Sequence, residues 1–289
     1  MRYYGLRMLS AALADQFQRD GFCSVPGFLA ADEIGVLLAG IESVCAAATV
    51  AHHDAGRLEM EPDQAADGNR VRRIYEPCTY YPEFRALSES PKLLGSVAQL
   101  LGEHLLFHYS KINMKPPGIG SVVEWHQDLA YYPLTNTDSL AVLLYLDDAD
   151  RTNGCLQVIP GVHGNEILNH SSNGFFRGQI TESVDASKAV AIEGRAGTAI
   201  FLHGMTPHAS APNTSPYARR TLILSYRAAD AYPVYLGETT LHAESHVRLV
   251  RGERVMRARF GTQEMPIPRY QDVPKSLYEL QQRFREQRS

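Results

Sequence analysis

Trp125-His126-Gln127-Asp128 closes a run of β-forming residues, and along an extended chain side chains two apart project to the same side. His126 and Asp128 can therefore share one metal ion. An imidazole nitrogen beside a carboxylate oxygen suits Fe(II), Mn or Zn, and a second histidine would complete a two-histidine, one-carboxylate face with open positions opposite. The chain holds another His-x-Asp triplet, His52-His53-Asp54, so spacing alone does not choose between them. Context does. His52 and Asp54 follow a helix in a polar stretch with Gly56 close behind, whereas His126 and Asp128 follow Val122-Val123 and lead into Leu129-Ala130-Tyr131-Tyr132-Pro133. Only the second triplet has a β frame rigid enough to fix a metal.

The third ligand must come from a distant strand, and Gly197 to His208 supplies a turn, an apolar run and two candidates, His203 and His208. Eleven residues beyond His208 stands Arg219, at the head of the run Thr221 to Arg227. A guanidinium fork at the base of a barrel strand is the natural partner of a carboxylate, because it donates two parallel hydrogen bonds in one plane. It points to a dicarboxylate co-substrate, 2-oxoglutarate, with one end on the metal and the other on Arg219. Strand alternation sends either Arg219 or its neighbour Arg220 outward. His246 and Arg257 share the same spacing but lie in a charged segment with no apolar strand before them.

The elements that must hold these groups are mainly β. The chain opens with an amphipathic helix over Leu9 to Arg19, stopped by Asp20-Gly21, a short strand from Phe22, and a second helix from Ala31 to about Ala48 with Asp32 and Glu33 in its first turn. Val50 to Gly68 reads as a polar loop. From residue 70 the period becomes two, predicting strands at Val71 to Tyr75, Leu105 to Met114, Val122 to His126, Leu140 to Leu146, Cys155 to Ile159, Ala189 to Ile192, Ala199 to His203 and Thr221 to Arg227. A helix over Ser90 to Leu101 interrupts them. Residues 161 to 188 are too long and too weakly patterned for an ordinary connection and read as an insertion or lid. The last helix, Lys275 to Arg288, is strongly charged and is expected on the outside.

Composition sets the limits. The 289 residues are 44% hydrophobic and 21% charged, a globular balance, and the net charge of −4 supplies no positive field for nucleic acid. No apolar stretch approaches the ~20 residues of a spanning helix; Met1 to Ala14, with Arg2 and Arg7 before a short apolar run, reads as a helix lead rather than a leader peptide. Four scattered cysteines, without paired spacing, suit a reduced cytoplasm. No linker divides the chain, so one domain is expected over 1–289, helical to about 60, β from about 70 to 230, with an extension over 231–289. Nothing in it specifies an oligomeric state.

Four ordered motifs resemble the phytanoyl-CoA dioxygenase-like branch of the iron(II)- and 2-oxoglutarate-dependent oxygenases: Asp20-Gly21-Phe22 with Val25-Pro26-Gly27-Phe28-Leu29, Trp125 to Asp128, Asn153-Gly154-Cys155 through His163, and His208 through Arg219. The likeness spans about residues 17 to 228. It implies a double-stranded β-helix of the jelly-roll or cupin-like kind with N-terminal and peripheral helices, with His126, Asp128 and His208 as iron ligands and His203 outside the site. It also implies Arg219 as anchor of the 2-oxoglutarate C5 carboxylate, with Asn113 and Thr137 as further co-substrate contacts. The sequence departs from the pattern at Tyr109, where some relatives carry glutamine, and at Thr198, where the family often has aspartate.

Since halogenating relatives lose the carboxylate that Asp128 retains, the resemblance implies O2-dependent decarboxylation of 2-oxoglutarate to succinate and CO2, coupled to oxidation of a small molecule. Hydroxylation is the usual outcome, with desaturation, epoxidation and ring closure as alternatives from the same start. Tyr75, Tyr109, Tyr131, Trp125 and Phe175 are candidates for the walls of its pocket. The basic clusters Arg70-Val71-Arg72-Arg73 and Arg248, Arg251, Arg254, Arg257 are expected to be solvated or ion-paired, with an anionic substrate as the alternative. Two rivals use the same barrel: a cupin-like hydrolase or isomerase, which has no need of Arg219, and a non-catalytic binding barrel.

Overall fold

The computed structural model describes residues 9–119, 122–234, 244–261, 264–272 and 276–286. Its elements, in chain order, begin with α1 (Ala11–Asp20), β1 (Phe22–Val25), α2 (Ala31–Cys45), β2 (Leu58–Met60) and β3 (Val71–Tyr75). Three helices follow: α3 (Pro77–Tyr80), α4 (Pro82–Ser88) and α5 (Pro91–Leu101). The next strands are β4 (Leu105–Lys115), β5 (Val123–His126), β6 (Ser139–Tyr145), β7 (Leu156–Val158), β8 (Ser171–Ser172), β9 (Phe175–Phe176) and β10 (Val190–Ile192). The chain ends with β11 (Ala199–His203), β12 (His208–Ser210), β13 (Arg219–Ala228), β14 (Arg248–Arg251) and α6 (Leu277–Glu286). Arg2 and Arg7 of the N-terminal lead lie outside the described residues.

The strands form two antiparallel sheets. The larger runs β1-β11-β6-β13-β4-β3-β2, with β14 also on β4, and the smaller runs β10-β7-β12-β5. Strand β6, Ser139–Tyr145, is buried along its whole length, and its period of two divides it between two cores. Val142 and Leu144 join Leu222 and Leu224 of β13 against Phe17 of α1, Leu37 and Ile41 of α2, and Leu93 and Val97 of α5. Ala141, Leu143 and Tyr145 face the other way and pack with Leu156, Val158, Ile192 and Ile223. Helices therefore cover one face of the large sheet and the small sheet covers part of the other. Truncating a residue such as Leu144 to alanine would cost about 2–5 kcal/mol.

Local signals set the ends of α1. The Ser10 hydroxyl accepts from the Leu13 N–H at 3.3 Å, and Gly21, at φ +79°, ends the helix in the left-handed region. A Cβ at Gly21 would run into the Thr206 and His163 side chains, so the Asp20-Gly21-Phe22 motif also lets the chain lie tight against the β11–β12 turn.

A β-bulge decides what β4 presents to the interior. Register shifts between Ser225 and Tyr226 of β13, so Tyr226 pairs with Phe107 but Ser225 pairs with Tyr109, leaving His108 as the extra residue. Phe107 consequently joins the helix-side core while Tyr109, Lys111 and Asn113 face inward.

Some expectations need correcting. The stretch from 50 to 68 contains β2, an edge strand of three residues, too short to show a period. Two short helices, each with proline in its first turn, precede α5. The largest correction is α6, which is not an outer charged helix: Tyr278, Leu280, Gln281 and Phe284 are buried, while Glu279 and Arg283 pair along the other face at 2.5 Å. Its apolar stripe was hidden by its charge count. Among the described residues no helix is long and apolar enough to cross a membrane, and the four cysteines are free thiols.

Candidate active site

Strands β12 and β5 pair so that His208 stands directly opposite His126. Asp128 follows in a tight turn whose Leu129 N–H is tied to the Gly204 carbonyl at 3.0 Å. One ligating atom from each of His126, Asp128 and His208 lies within 4.8 Å of the others, and all three residues are buried. Both imidazole Nε2 atoms approach the same Asp128 Oδ1, at 3.7 and 3.9 Å. These separations are too long for hydrogen bonds and suit donors spread around a common centre.

Hydrogen bonding fixes the tautomers. His126 Nδ1 lies 2.8 Å from the Glu124 carbonyl and His208 Nδ1 3.0 Å from the Thr206 carbonyl. A carbonyl only accepts, so each Nδ1 carries the proton and each Nε2 turns its lone pair to the centre, as a metal ligand requires. Burial lowers both histidines' pKa values, and the neighbouring His208 adds to the effect at His126. Neutral imidazole is the ligating form. The donor set therefore fits a divalent first-row metal, with two nitrogens, one oxygen and an open side.

Gln127 holds the cluster from behind. Its Nε2 donates to the Met205 carbonyl at 2.7 Å, its Oε1 accepts from the Leu168 N–H at 2.8 Å, and its own N–H donates to His170 Nε2 at 3.0 Å. The insertion over 161–188 is thus fastened to the metal strand, and the Ile180 N–H donates to the Trp125 carbonyl at 2.7 Å as well. His203 is turned away, its Nδ1 accepting from the Met205 N–H at 3.1 Å and its ring 5.1 Å from His163.

Two chambers meet at His126. The inner one is narrow and runs past Asn113, Tyr145 and Thr221 to Arg219. Arg219 is 5% exposed; Nη1 donates to Thr221 Oγ1 at 2.8 Å and Nη2 to the Gly154 carbonyl at 2.5 Å. Its Nε, also buried, has no partner, so the guanidinium keeps a donor for an acceptor the protein does not supply. Arg220 points outward into a two-pronged pair with Asp147 at 2.7 and 2.9 Å. Gly154, at φ +77°, brings its carbonyl to Arg219, and a Cβ there would collide with the Ala211 carbonyl. Asn113 Oδ1 accepts from Arg73 Nε at 2.9 Å, which leaves its amide nitrogen for the chamber.

The outer chamber is a cavity of about 370 Å³ lined by Tyr75, Tyr109, Lys111, Tyr131, Leu277 and Leu280, among others. Tyr75 donates to Glu59 Oε2 at 2.8 Å, and the Tyr131 hydroxyl is held by the Gly178 carbonyl with its ring 5.8 Å from His126. Three sequence candidates fall outside both chambers. Phe175 lies against Arg269, and its neighbour Phe176, on the opposite strand face, is the ring that meets Tyr131 at 5.0 Å. Trp125 points away from His126 by the same alternation. Thr137 lines neither chamber, because β6 starts at Ser139 opposite Arg227, the far end of β13 from Arg219.

Sequence reasoning missed Lys111 and the α6 residues Leu277 and Leu280, and it named Arg73 only as one member of a basic run expected to be solvated or ion-paired. Lys111 was legible, since it lies between Tyr109 and Asn113 at strand spacing. Of the basic clusters, Arg72 pairs with Glu59 at 2.5 Å, Arg248 with Glu89 at 2.7 Å and Arg251 with Glu103 at 2.8 Å. Arg73 is instead buried and faces the outer chamber.

Comparison with known proteins matches residues 17–221 to the family described as phytanoyl-CoA dioxygenase. A probable alpha-ketoglutarate-dependent hypophosphite dioxygenase from Stutzerimonas stutzeri is 31% identical over 221 residues, 74% of this chain and 77% of that protein. A methylphosphonate hydroxylase from Gimesia maris is 27% identical over 220 residues, covering 76% and 81%. Among solved structures, EctD from S. alaskensis with bound Fe superposes with a TM-score of 0.69 at 24% identity, covering 88% of this chain and 90% of that one, a likeness of fold.

Proposed function

Because this chain belongs to the phytanoyl-CoA dioxygenase family, we propose that it is an Fe(II)- and 2-oxoglutarate-dependent dioxygenase that hydroxylates a C–H bond of a small molecule. Succinate and CO2 would be released. The two antiparallel sheets, with His126 and His208 paired on the smaller one, support a double-stranded β-helix in a single oxygenase domain.

His126, Asp128 and His208 are the ligands in this reading, with Nε2 of each imidazole already directed at the centre. Iron with 2-oxoglutarate supplies O2 activation when bound. The protein's own part is to place and to shield. Arg219 takes the distal carboxylate at the end of the inner chamber, and Asn113 offers its amide nitrogen beside it. Tyr145, which donates to the Ile192 carbonyl at 2.8 Å, walls the cleft. Tyr131 and the apolar face of α6 cover the metal from the substrate side and keep water from it.

One observation carries the reading: a convergent two-histidine, one-carboxylate cluster sharing a cleft with a buried guanidinium that retains an unused donor. The same feature argues against a hydrolase or isomerase on a like barrel, for which a buried cation at that depth would be pure desolvation cost. Anaerobic addition of Fe(II) and then 2-oxoglutarate should produce a visible metal-to-ligand charge-transfer band, saturating at one equivalent of iron. Absence of the band with folded protein would overturn the assignment.

A further inference from the structure

Arg219 has a role in this reading, yet two other cations face the same interior and have none. In the register of β3 on β4, Arg73 stands opposite Asn113 and Tyr75 opposite Lys111, so these four side chains tile one face and Arg73 and Lys111 are diagonal neighbours. Arg73 is 3% exposed. Its Nε is spent on Asn113, its Nη1 lies 3.9 Å from Glu59 Oε2, and its Nη2 is buried without a partner. Glu59 is also held by Arg72 at 2.5 Å and by the Tyr75 hydroxyl at 2.8 Å, so its single charge is shared between two guanidinium groups, and a further neighbour of Arg73 is the uncharged Tyr278 ring at 4.6 Å. Lys111 lines both chambers, and among the described residues its ammonium meets only the Tyr109 ring, 5.3 Å away.

The remaining charges do not settle these two. Asp128 belongs to the metal cluster, and Glu76 accepts from Ser110 N at 3.2 Å, with burial pushing its carboxyl up to about 7. A divalent ion and Asp128, with dianionic 2-oxoglutarate and Arg219, sum to zero. Arg73 and Lys111 are left over. Burying two cations that share so little counter-charge is expensive, and a substrate anion would reduce that cost on binding.

Resting on the iron and 2-oxoglutarate reading, we propose that Arg73 and Lys111 form the anion subsite of the primary substrate, which carries a compact oxyanion of carboxylate or phosphonate type. The oxyanion sits between Arg73 Nη2 and Lys111 Nζ. The adjoining carbon then extends toward His126 and Asp128 along Tyr75 and Tyr131, which accounts for a chamber that is apolar at its lid and cationic at its wall.

A carboxylate near Lys111 has two sources, a second molecule and 2-oxoglutarate itself, and the test separates them. Anaerobic enzyme loaded with Fe(II) and saturating 2-oxoglutarate is titrated with methylphosphonate, propanoate and the neutral propanamide, following the charge-transfer band and the heat of binding. The expected result is that an anion binds without displacing 2-oxoglutarate and at least about tenfold more tightly than propanamide. Lys111→Met and Arg73→Gln each weaken that binding by about tenfold or more, and Lys111→Met leaves the affinity for 2-oxoglutarate within about twofold.

Competition between the anions and 2-oxoglutarate, equal binding of propanamide, no binding of either anion, or indifference to Lys111→Met would each overturn the proposal. Should Arg73→Gln fail to fold once its link to Asn113 is lost, Lys111→Met decides alone, because that lysine has no hydrogen bond to lose. Failure of the band in the unmodified enzyme would instead count against the iron reading, and calorimetry of the anions on metal-free protein would still decide the subsite.

Discussion

The inner and outer chambers share His126 but are built differently. The inner one is made mostly of β4, β6, β12 and β13, strands with neighbours on both sides, and its cation is held by the Gly154 carbonyl and Thr221. The outer one draws on β3 near the sheet edge, on α6 and on residues 245–246; of its cations, Arg73 keeps Nη2 without a hydrogen-bond partner and Lys111 lies over the Tyr109 ring. Rigid pairing suits a chamber whose occupants never change; a wall of loosely committed charge suits the one that must select a substrate. On the proposed reading, chemistry and specificity occupy the two ends of one cavity and depend on different parts of the chain.

The comparison breaks most sharply at the junction. Asp128→Ala should lower succinate formation by about a thousandfold or more, with the circular dichroism spectrum and unfolding midpoint retained, because the carboxylate serves the metal rather than the fold. Turnover within tenfold of the unmodified enzyme would dissolve the distinction at its centre.

Next comes the inner end. Arg219→Ala should raise KM for 2-oxoglutarate about 10–100-fold while kcat at saturation falls less, since the lost bonds hold the co-substrate without touching the reacting carbon. A fall in kcat alone would place Arg219 in a structural role.

A smaller effect sharpens the claim that backbone geometry holds this end. Gly154→Ala, at positive φ and against the Ala211 carbonyl, should cost about 1–3 kcal/mol in denaturant unfolding and raise KM for 2-oxoglutarate severalfold. An unchanged midpoint would show that the turn gives way freely.

The smallest effect concerns the outer wall. Burial raises Glu76 to about 7, opposed mainly by its bonds from Ser110 and then by Arg248 and Lys111. A carboxyl whose folded pKa exceeds its unfolded value binds protons more tightly when native, so its contribution to stability declines as pH rises from about 4.5 to about 7 and stays lower above. Glu76→Gln should therefore gain on the unmodified protein by about 1–3 kcal/mol between pH 5 and pH 8 in urea unfolding. A difference that does not change with pH would contradict it.

Much of the frame was legible in the sequence. Strands β3 and β11 fall on the residues predicted for them, Val71–Tyr75 and Ala199–His203, where β-branched, aliphatic and aromatic residues concentrate. Arg219 and the family resemblance already favoured His208 over His203; the pairing that puts His208 across from His126 was not legible, since β12 is three residues long and the contact is distant in sequence. The outer chamber was largely illegible for the same reason. Arg73 reads as one of a basic run until β3 is laid on β4, and the bulge at His108 cannot be inferred from a period of two. Helix α6 shows the limit of composition: charged residues on one face concealed the stripe of Leu277, Leu280 and Phe284 on the other.

The most direct measurement is an anomalous diffraction map of crystals soaked anaerobically with Fe(II) and 2-oxoglutarate. The account predicts one strong iron peak bonded to Nε2 of His126, Nε2 of His208 and a carboxylate oxygen of Asp128, with the far carboxylate of 2-oxoglutarate on Arg219. Iron at His52 and Asp54, or a co-substrate turned away from Arg219, would contradict it.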